Sequence, residues 1–236
     1  MSNSYFRFKQ FMIEQERCAM KVTTDACIQG AWTPVLPGVK RVLDIGAGTG
    51  LLSLMLAQRN TDIFIDAIEF DHEAAGQARD NVNSSLWKER INIIEGDVRN
   101  YLSSHKFDLI ITNPPFFSSS LLSDEAKKNM ARHNLSLTYA DLLKAIEDNL
   151  AADGYVSILL PYSEYLIWRS LCEKIDWFEI GKLSVMHRPE AGVKRVVGLF
   201  SKKKSFLNEQ TLIIQDDEDK YSPEFTRLLS PFYLAL

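Results

Sequence analysis

Cysteine is scarce in this 236-residue chain: only Cys18, Cys27 and Cys172 occur, an odd number with no C-x-x-C pair. That argues against a disulfide framework and a thiolate zinc site, and it points to a reducing compartment. Histidine is nearly as rare, at four residues. No pair among His72, His105 and His187 has ligand spacing, so no metal is expected. An excess of one charge is lacking too. With a formal net charge of −4, any nucleic-acid binding must rest on local patches. No apolar run approaches the roughly 20 residues of a membrane helix. The amino terminus, MSNSYFRFKQFMIEQER, carries charge throughout and has no apolar signal core. Repeats and low-complexity linkers are absent. The default expectation is a cytoplasmic enzyme or binding protein, with no membrane partner.

What is present is a strand–helix alternation. Tyr5 to Gln15 carries Phe6, Phe8, Phe11 and Ile13 in a broken alternation that suits a strand or small hairpin. Thr23-Thr24-Asp25 is an N-cap cluster ahead of a helix over Ala26–Trp32, closed by Pro34 and Pro37. Strands are predicted at Val42–Ile45, Ile63–Glu69, Ile91–Glu95, Phe107–Thr112 and Tyr155–Leu160. Helices are predicted at Leu51–Arg59, His72–Leu86, Tyr139–Leu150 and Pro161–Ile175. Two β-rich runs, Phe178–His187 and Arg195–Ser201, read as a hairpin. Such alternation implies an α/β fold, a mostly parallel sheet with helices on both faces. The economical layout is one domain, with an extension at 1–40, a core at 41–204 and a tail at 205–236.

Between the first of these strands and its helix runs Asp44-Ile45-Gly46-Ala47-Gly48-Thr49-Gly50. Gly46, Gly48 and Gly50 allow a tight turn and close approach of a ligand, and the helix beyond offers free N–H groups. A dinucleotide site wants a third glycine at position 51, which is Leu51. Instead, acids stand at three successive strand ends: Asp44, Glu69 and Asp97. A carboxylate at the second strand's tip, Glu69, can accept from both hydroxyls of a ribose. Asp97 is placed to accept from an adenine amine, and Asp44 to face a cationic group. Any one of these acids could be a loop carboxylate or helix cap, but three at successive strand ends around a glycine turn form a pattern that chance does not explain.

The run Asp108–Phe117, DLIITNPPFF, begins as a strand buried on both faces and then breaks. Pro114 and Pro115 remove two backbone donors, so the strand ends at Thr112. Asn113, preceding a proline, is driven into an extended conformation. The result is a rigid corner at a strand's carboxyl end, where ligands of open α/β sheets bind.

The glycine turn with its three acids resembles the class I S-adenosylmethionine (SAM)-dependent methyltransferases. That resemblance implies a Rossmann-like fold, with a seven-stranded mostly parallel sheet and a C-terminal antiparallel hairpin strand. Asn113-Pro114-Pro115-Phe116 resembles the N/D-P-P-Y/F signature of amino-group methyltransferases. By that likeness, the carboxamide of Asn113 and the carbonyl of Pro114 accept from the target amine, and Phe116 stacks on the target base. The segment Cys18–Ala26 with Gly30-Ala31-Trp32, the run Leu137–Leu142, Tyr221–Phe225 and Phe232-Tyr233-Leu234 extend the resemblance over nearly the whole chain. They are similar to the bacterial tRNA1(Val) adenine-37 N6-methyltransferases. This implies a tRNA partner, bound at the anticodon stem-loop, and Lys21, Thr23 and Asp25 lining the cofactor's amino-acid end. Thr23 stands where the family more usually has glycine.

Two basic groups are candidates for phosphate contact. Lys182–Lys204 holds seven lysines and arginines against the single acid Glu190, among them Arg188, Lys194, Arg195, Lys202 and Lys203. Lys127, Lys128 and Arg132 follow the NPPF corner. A lysine run after a strand also serves simply as a solvated edge that blocks sheet pairing. Competing readings are guanine-N2 methylation of ribosomal RNA, glutamine methylation of a protein, and RNA binding without catalysis. A monomer is expected.

Overall fold

The computed structural model describes residues 3–115, 137–205 and 207–236. Its main sheet has eight strands: β3 (Arg41–Ile45), β4 (Phe64–Glu69), β5 (Ile91–Glu95), β6 (Phe107–Thr112), β7 (Leu150–Pro161), β8 (Phe178–Met186), β9 (Arg195–Ser201) and β10 (Asn208–Ile213). Their spatial order is β10-β8-β9-β7-β6-β3-β4-β5. Strand β9 runs antiparallel to both its neighbours, and the remaining pairings are parallel. A separate two-stranded hairpin pairs β1 (Tyr5–Arg7) with β2 (Met12–Glu14).

The helices are α1 (Thr24–Trp32), α2 (Leu51–Arg59), α3 (His72–Asn83), α4 (Tyr139–Asn149), α5 (Tyr162–Glu173) and α6 (Pro223–Leu229). Alternation along the central strands sorts their side chains into two cores. Val42, Leu109, Ile111, Tyr155 and Leu159 join α1, α2 and α6 on one face. Leu43, Ile110, Val156, Ile158 and Leu160 join α4 and α5 on the other. A strand covered on both faces needs this continuous apolar run, which is why apolar content located these strands.

The expected sheet of seven strands is corrected to eight. The eighth, β10, adds parallel to β8 at the open edge. It carries NEQTLI, in which Leu212 is the one buried residue, so no hydrophobic period announced it. Strand β7 begins at Leu150 and not at Tyr155. It passes the packed site of Gly154, where a Cβ would meet the Phe107 carbonyl at 3.0 Å and Leu150 Cδ1 at 2.8 Å. Helix α3 stops at Asn83 and not at Leu86, because Ser85 Oγ donates to the Val82 carbonyl at 2.7 Å and closes a turn. The amino-terminal hairpin is fastened to the tail by Phe8, which bridges Tyr233, and by Lys9 N–H donating to Phe232 O at 2.8 Å. Among the described residues no helix is long and apolar enough to cross a membrane.

Candidate active site

Strand order reverses between β3 and β6: the chain passes outward from β3 through β4 to β5, then returns to β6 and continues on the other side. The crevice above such a switch point is where loops diverge and a ligand enters. Ile45 pairs with Thr112 across the two strands. The glycine turn that follows Ile45 and the Asn-Pro-Pro corner that follows Thr112 therefore leave the sheet side by side.

The turn needs its glycines. Gly46, Gly48 and Gly50 have φ of 73°, 54° and 80°, a region that costs an L side chain roughly 1–2 kcal/mol per residue. A Cβ at Gly46 or Gly48 would meet nothing within 4 Å, so the space in front of the turn is open. Asp44 lies beneath it, fully buried. Its Oδ2 accepts from Ser53 Oγ on α2 at 2.7 Å, while Oδ1 is buried with no partner among the described residues. Burial pushes its pKa from 3.8 up to about 6, against the pull of the Ser53 hydroxyl, with Glu69 adding a further push upward.

Glu69 closes β4 with its carboxylate held from two sides. Oε2 accepts from Gly48 N–H at 2.8 Å and Oε1 from Asp71 N–H at 2.9 Å. Each oxygen keeps a spare lone pair for an incoming hydroxyl. Asp97 is engaged otherwise. It caps a short 3-10 turn (Val98–Asn100) and is gripped by the Arg99 guanidinium at 2.5 Å. That hydrogen bond to Arg99 holds its carboxyl below the usual range. Thr23 is the N-cap of α1, its hydroxyl accepting from Ala26 N–H at 3.2 Å, and Lys21 lies on the connection from β2 to α1. Asp25, in the first turn of α1, pairs with Arg195 Nε at 3.1 Å.

At the corner, Pro114 is buried and Asn113 half-buried. Asn113 Oδ1 is buried and has no partner among the described residues. A buried acceptor left open at the mouth of the crevice is suited to an N–H donor from outside. Phe116, Lys127, Lys128 and Arg132 lie outside the described residues.

The basic segment is divided between the two ends of the sheet. Arg188 follows β8, Lys194 precedes β9, and Arg195 opens it, pairing with Pro161 at the crevice end. Because β9 runs antiparallel, Lys202 and Lys203 emerge at the opposite end, seven residues away or roughly 20 Å at ~3.3 Å per residue. There Lys202 pairs with Glu147 at 3.2 Å and sits over the Trp177 ring, and Lys203 pairs with Asp153 at 3.3 Å. The structure brings Arg188, Lys194 and Arg195 to the crevice end and does not bring Lys202 and Lys203 there.

Three contributors carried only faint sequence signals. Ser53 is a lone hydroxyl in the apolar helix LLSLML. Asn81, buried in α3, donates to Thr49 O and to Glu14 O at 2.9 Å each and accepts from Glu14 N–H, tying the glycine turn to the hairpin. Phe70, directly after Glu69, is 54% exposed at the strand tip. It offers an aromatic face beside the carboxylate.

Comparison with known proteins gives the family and the fold. A family model described as "Methyltransferase small domain" matches residues 33–139. A protein of Dyadobacter fermentans named tRNA1(Val) (adenine(37)-N6)-methyltransferase is 44% identical over 236 residues, 98% of each chain. A Bacteroides thetaiotaomicron protein of the same name is 40% identical, covering both chains fully. The chain belongs to the tRNA1(Val) (adenine(37)-N6)-methyltransferase family. Its fold is that of a wider group: a predicted O-methyltransferase from Agrobacterium tumefaciens superposes with a TM-score of 0.68 at 18% identity. That match covers 90% of this chain and 99% of the other. For this family the residues present fit SAM as cofactor. The open glycine turn leaves room, the held Glu69 leaves lone pairs, and the unpartnered Asp44 oxygen lies under the turn.

Proposed function

We propose that the protein transfers a methyl group from SAM to the exocyclic N6 of adenine 37 in tRNA1(Val), in the cytoplasm. The observation that carries this reading is the pairing of two open, buried acceptors at one switch point: Asp44 Oδ1 below the glycine turn and Asn113 Oδ1 at the corner beside it. When bound, the cofactor supplies an activated methyl group on a cationic sulfur. Asp44 balances that positive end. Glu69, fixed by Gly48 and Asp71, receives the ribose hydroxyls. Lys21 and Thr23 border the amino-acid end. Asp97, shared with Arg99, borders the base.

On the substrate side, an adenine amine is a weak nucleophile because its lone pair is conjugated into the ring. Asn113 Oδ1 and the Pro114 carbonyl accept its two N–H groups, hold the nitrogen at the crevice and favour its rehybridisation. Rate acceleration then comes from positioning and from dipoles set before reaction, with no strong base. Phe116 is assigned the stacking platform for the displaced base. Arg188, Lys194 and Arg195 stand at the crevice end to meet the phosphates of the stem-loop, and Lys127, Lys128 and Arg132 are assigned to the same partner. The full-length identity to named adenine-N6 enzymes supports this reading over guanine-N2 or glutamine methylation. The hairpin, the sheet and the tail are taken as one domain, and the protein as a monomer.

The test is incubation with methyl-labelled SAM and, separately, total tRNA, ribosomal RNA and a release factor. Digestion should return the label as N6-methyladenosine from tRNA. Label in guanosine or glutamine, or none with folded protein, would refute the assignment.

A further inference from the structure

Gln29 sits in α1 and is fully buried, a costly position for a carboxamide whose hydrogen bonds go unused. Its Nε2 donates to the Thr112 carbonyl at 2.9 Å and to the Ser157 carbonyl at 3.3 Å. Two carbonyl oxygens converging on one amide atom identify that atom as the nitrogen. Ser157 Oγ lies 3.4 Å from the same nitrogen and 2.7 Å from Thr33 Oγ1. The Thr112 hydroxyl in turn donates to Ile45 O at 2.9 Å, immediately before the glycine turn.

Thr112 is the last residue of β6, and its carbonyl belongs to the peptide group that leads into Asn113. Beyond Asn113 the chain has lost two backbone donors, since Pro114 and Pro115 carry no N–H. Gln29 adds a side-chain hydrogen bond to the last peptide before the corner. We propose that Gln29 is a positioning residue for methyl transfer: by holding the Thr112 carbonyl it sets the rotation of the Thr112–Asn113 peptide and so the aim of the Asn113 carboxamide. A geometric error of about 1 Å at a reacting group costs on the order of 100-fold in rate, so the effect belongs in kcat. This rests on the reading that Asn113 acts at the reacting nitrogen.

The experiment compares Gln29→Met, Thr33→Val and Asn113→Ala in the full-length protein, measuring kcat and KM for tRNA, SAM affinity by calorimetry, and the melting temperature. Gln29→Met keeps the volume and removes the donor. Its kcat should fall about 10- to 100-fold, with SAM affinity within about threefold of the parent. Thr33→Val disturbs the same buried cluster without touching the Thr112 carbonyl, so it should lower the melting temperature and keep kcat within about threefold. Full kcat in Gln29→Met, or an equal kcat loss in Thr33→Val, would overturn the proposal. If Asn113→Ala also turns over normally, the reading of Asn113 fails as well. If Asn113→Ala is inactive while Gln29→Met is active, the role of Gln29 alone fails.

Discussion

Asp44 pulls stability and function in opposite directions, and titration separates the two. Its carboxyl is raised from 3.8 to about 6 by complete burial. Between those values the folded protein without cofactor binds a proton that the unfolded chain does not. Its contribution to stability is therefore fully present below pH 3.8 and lost as pH rises through about 6. The difference corresponds to on the order of 3 kcal/mol at neutral pH, at 1.36 kcal/mol per pKa unit. Asp44→Asn, a neutral copy of the protonated form that keeps a hydrogen-bonding partner for Ser53, should raise the melting temperature of the cofactor-free protein at pH 7.5. Binding of a cationic cofactor needs the ionised form, so its apparent affinity scales with the ionised fraction. With a pKa near 6, the fraction falls from about 0.9 at pH 7 to about 0.1 at pH 5. The apparent Kd for SAM should then rise about tenfold over that interval, as read by calorimetry. Asp44→Asn should bind weakly and flatten the pH dependence. A wild-type affinity unchanged from pH 7 to 5, or an Asp44→Asn variant that melts below the parent at pH 7.5, would refute the reasoning.

Other expectations use the same assays. Ser53→Ala removes the hydroxyl that favours the ionised carboxylate, so the pH at which SAM affinity declines should move upward. A downward move would assign Ser53 a different role. Asn113→Ala should abolish turnover while SAM affinity stays within about tenfold, because the Asn113 carboxamide acts mainly on the reacting amine; calorimetry showing loss of SAM binding would make Asn113 a cofactor residue. Replacing Arg188 and Lys194 together by alanine should weaken tRNA binding and lower the salt slope by about 1 for each phosphate no longer neutralised. The same change at Lys202 and Lys203, at the far end of the sheet, should leave the slope unaltered, and the reverse result would put the RNA at that opposite end.

Local chemistry made much of this molecule readable from the chain. The runs RVLDI and FDLIIT are buried on both faces, so apolar content alone located β3 and β6. Gly46, Gly48 and Gly50 marked a turn because the positive φ they adopt is disfavoured for other residues. Pro114 and Pro115 ended β6 at Thr112 because they carry no donor. Each of these signals acts within a few residues of its cause. The polar edge strand β10 escaped detection because its pairing with β8 rests on backbone hydrogen bonds, which leave no mark in side-chain pattern.

Only the tertiary structure could decide what depends on direction or distance across the sheet. Lys202 and Lys203 are a few residues from Arg195 in sequence, yet the antiparallel course of β9 carries them to the other end. Gln29 reads as an ordinary residue of α1 until α1 is laid across β6 and β7, where its amide meets the Thr112 carbonyl 83 positions away. Asp44 reads as a strand-end acid, and only packing beneath α2 shows it fully buried with one oxygen open. The sequence by itself determined which groups are available and where strands must stop. Chain reversal and long-range packing determined which of those groups share a crevice and which carry an unspent hydrogen bond.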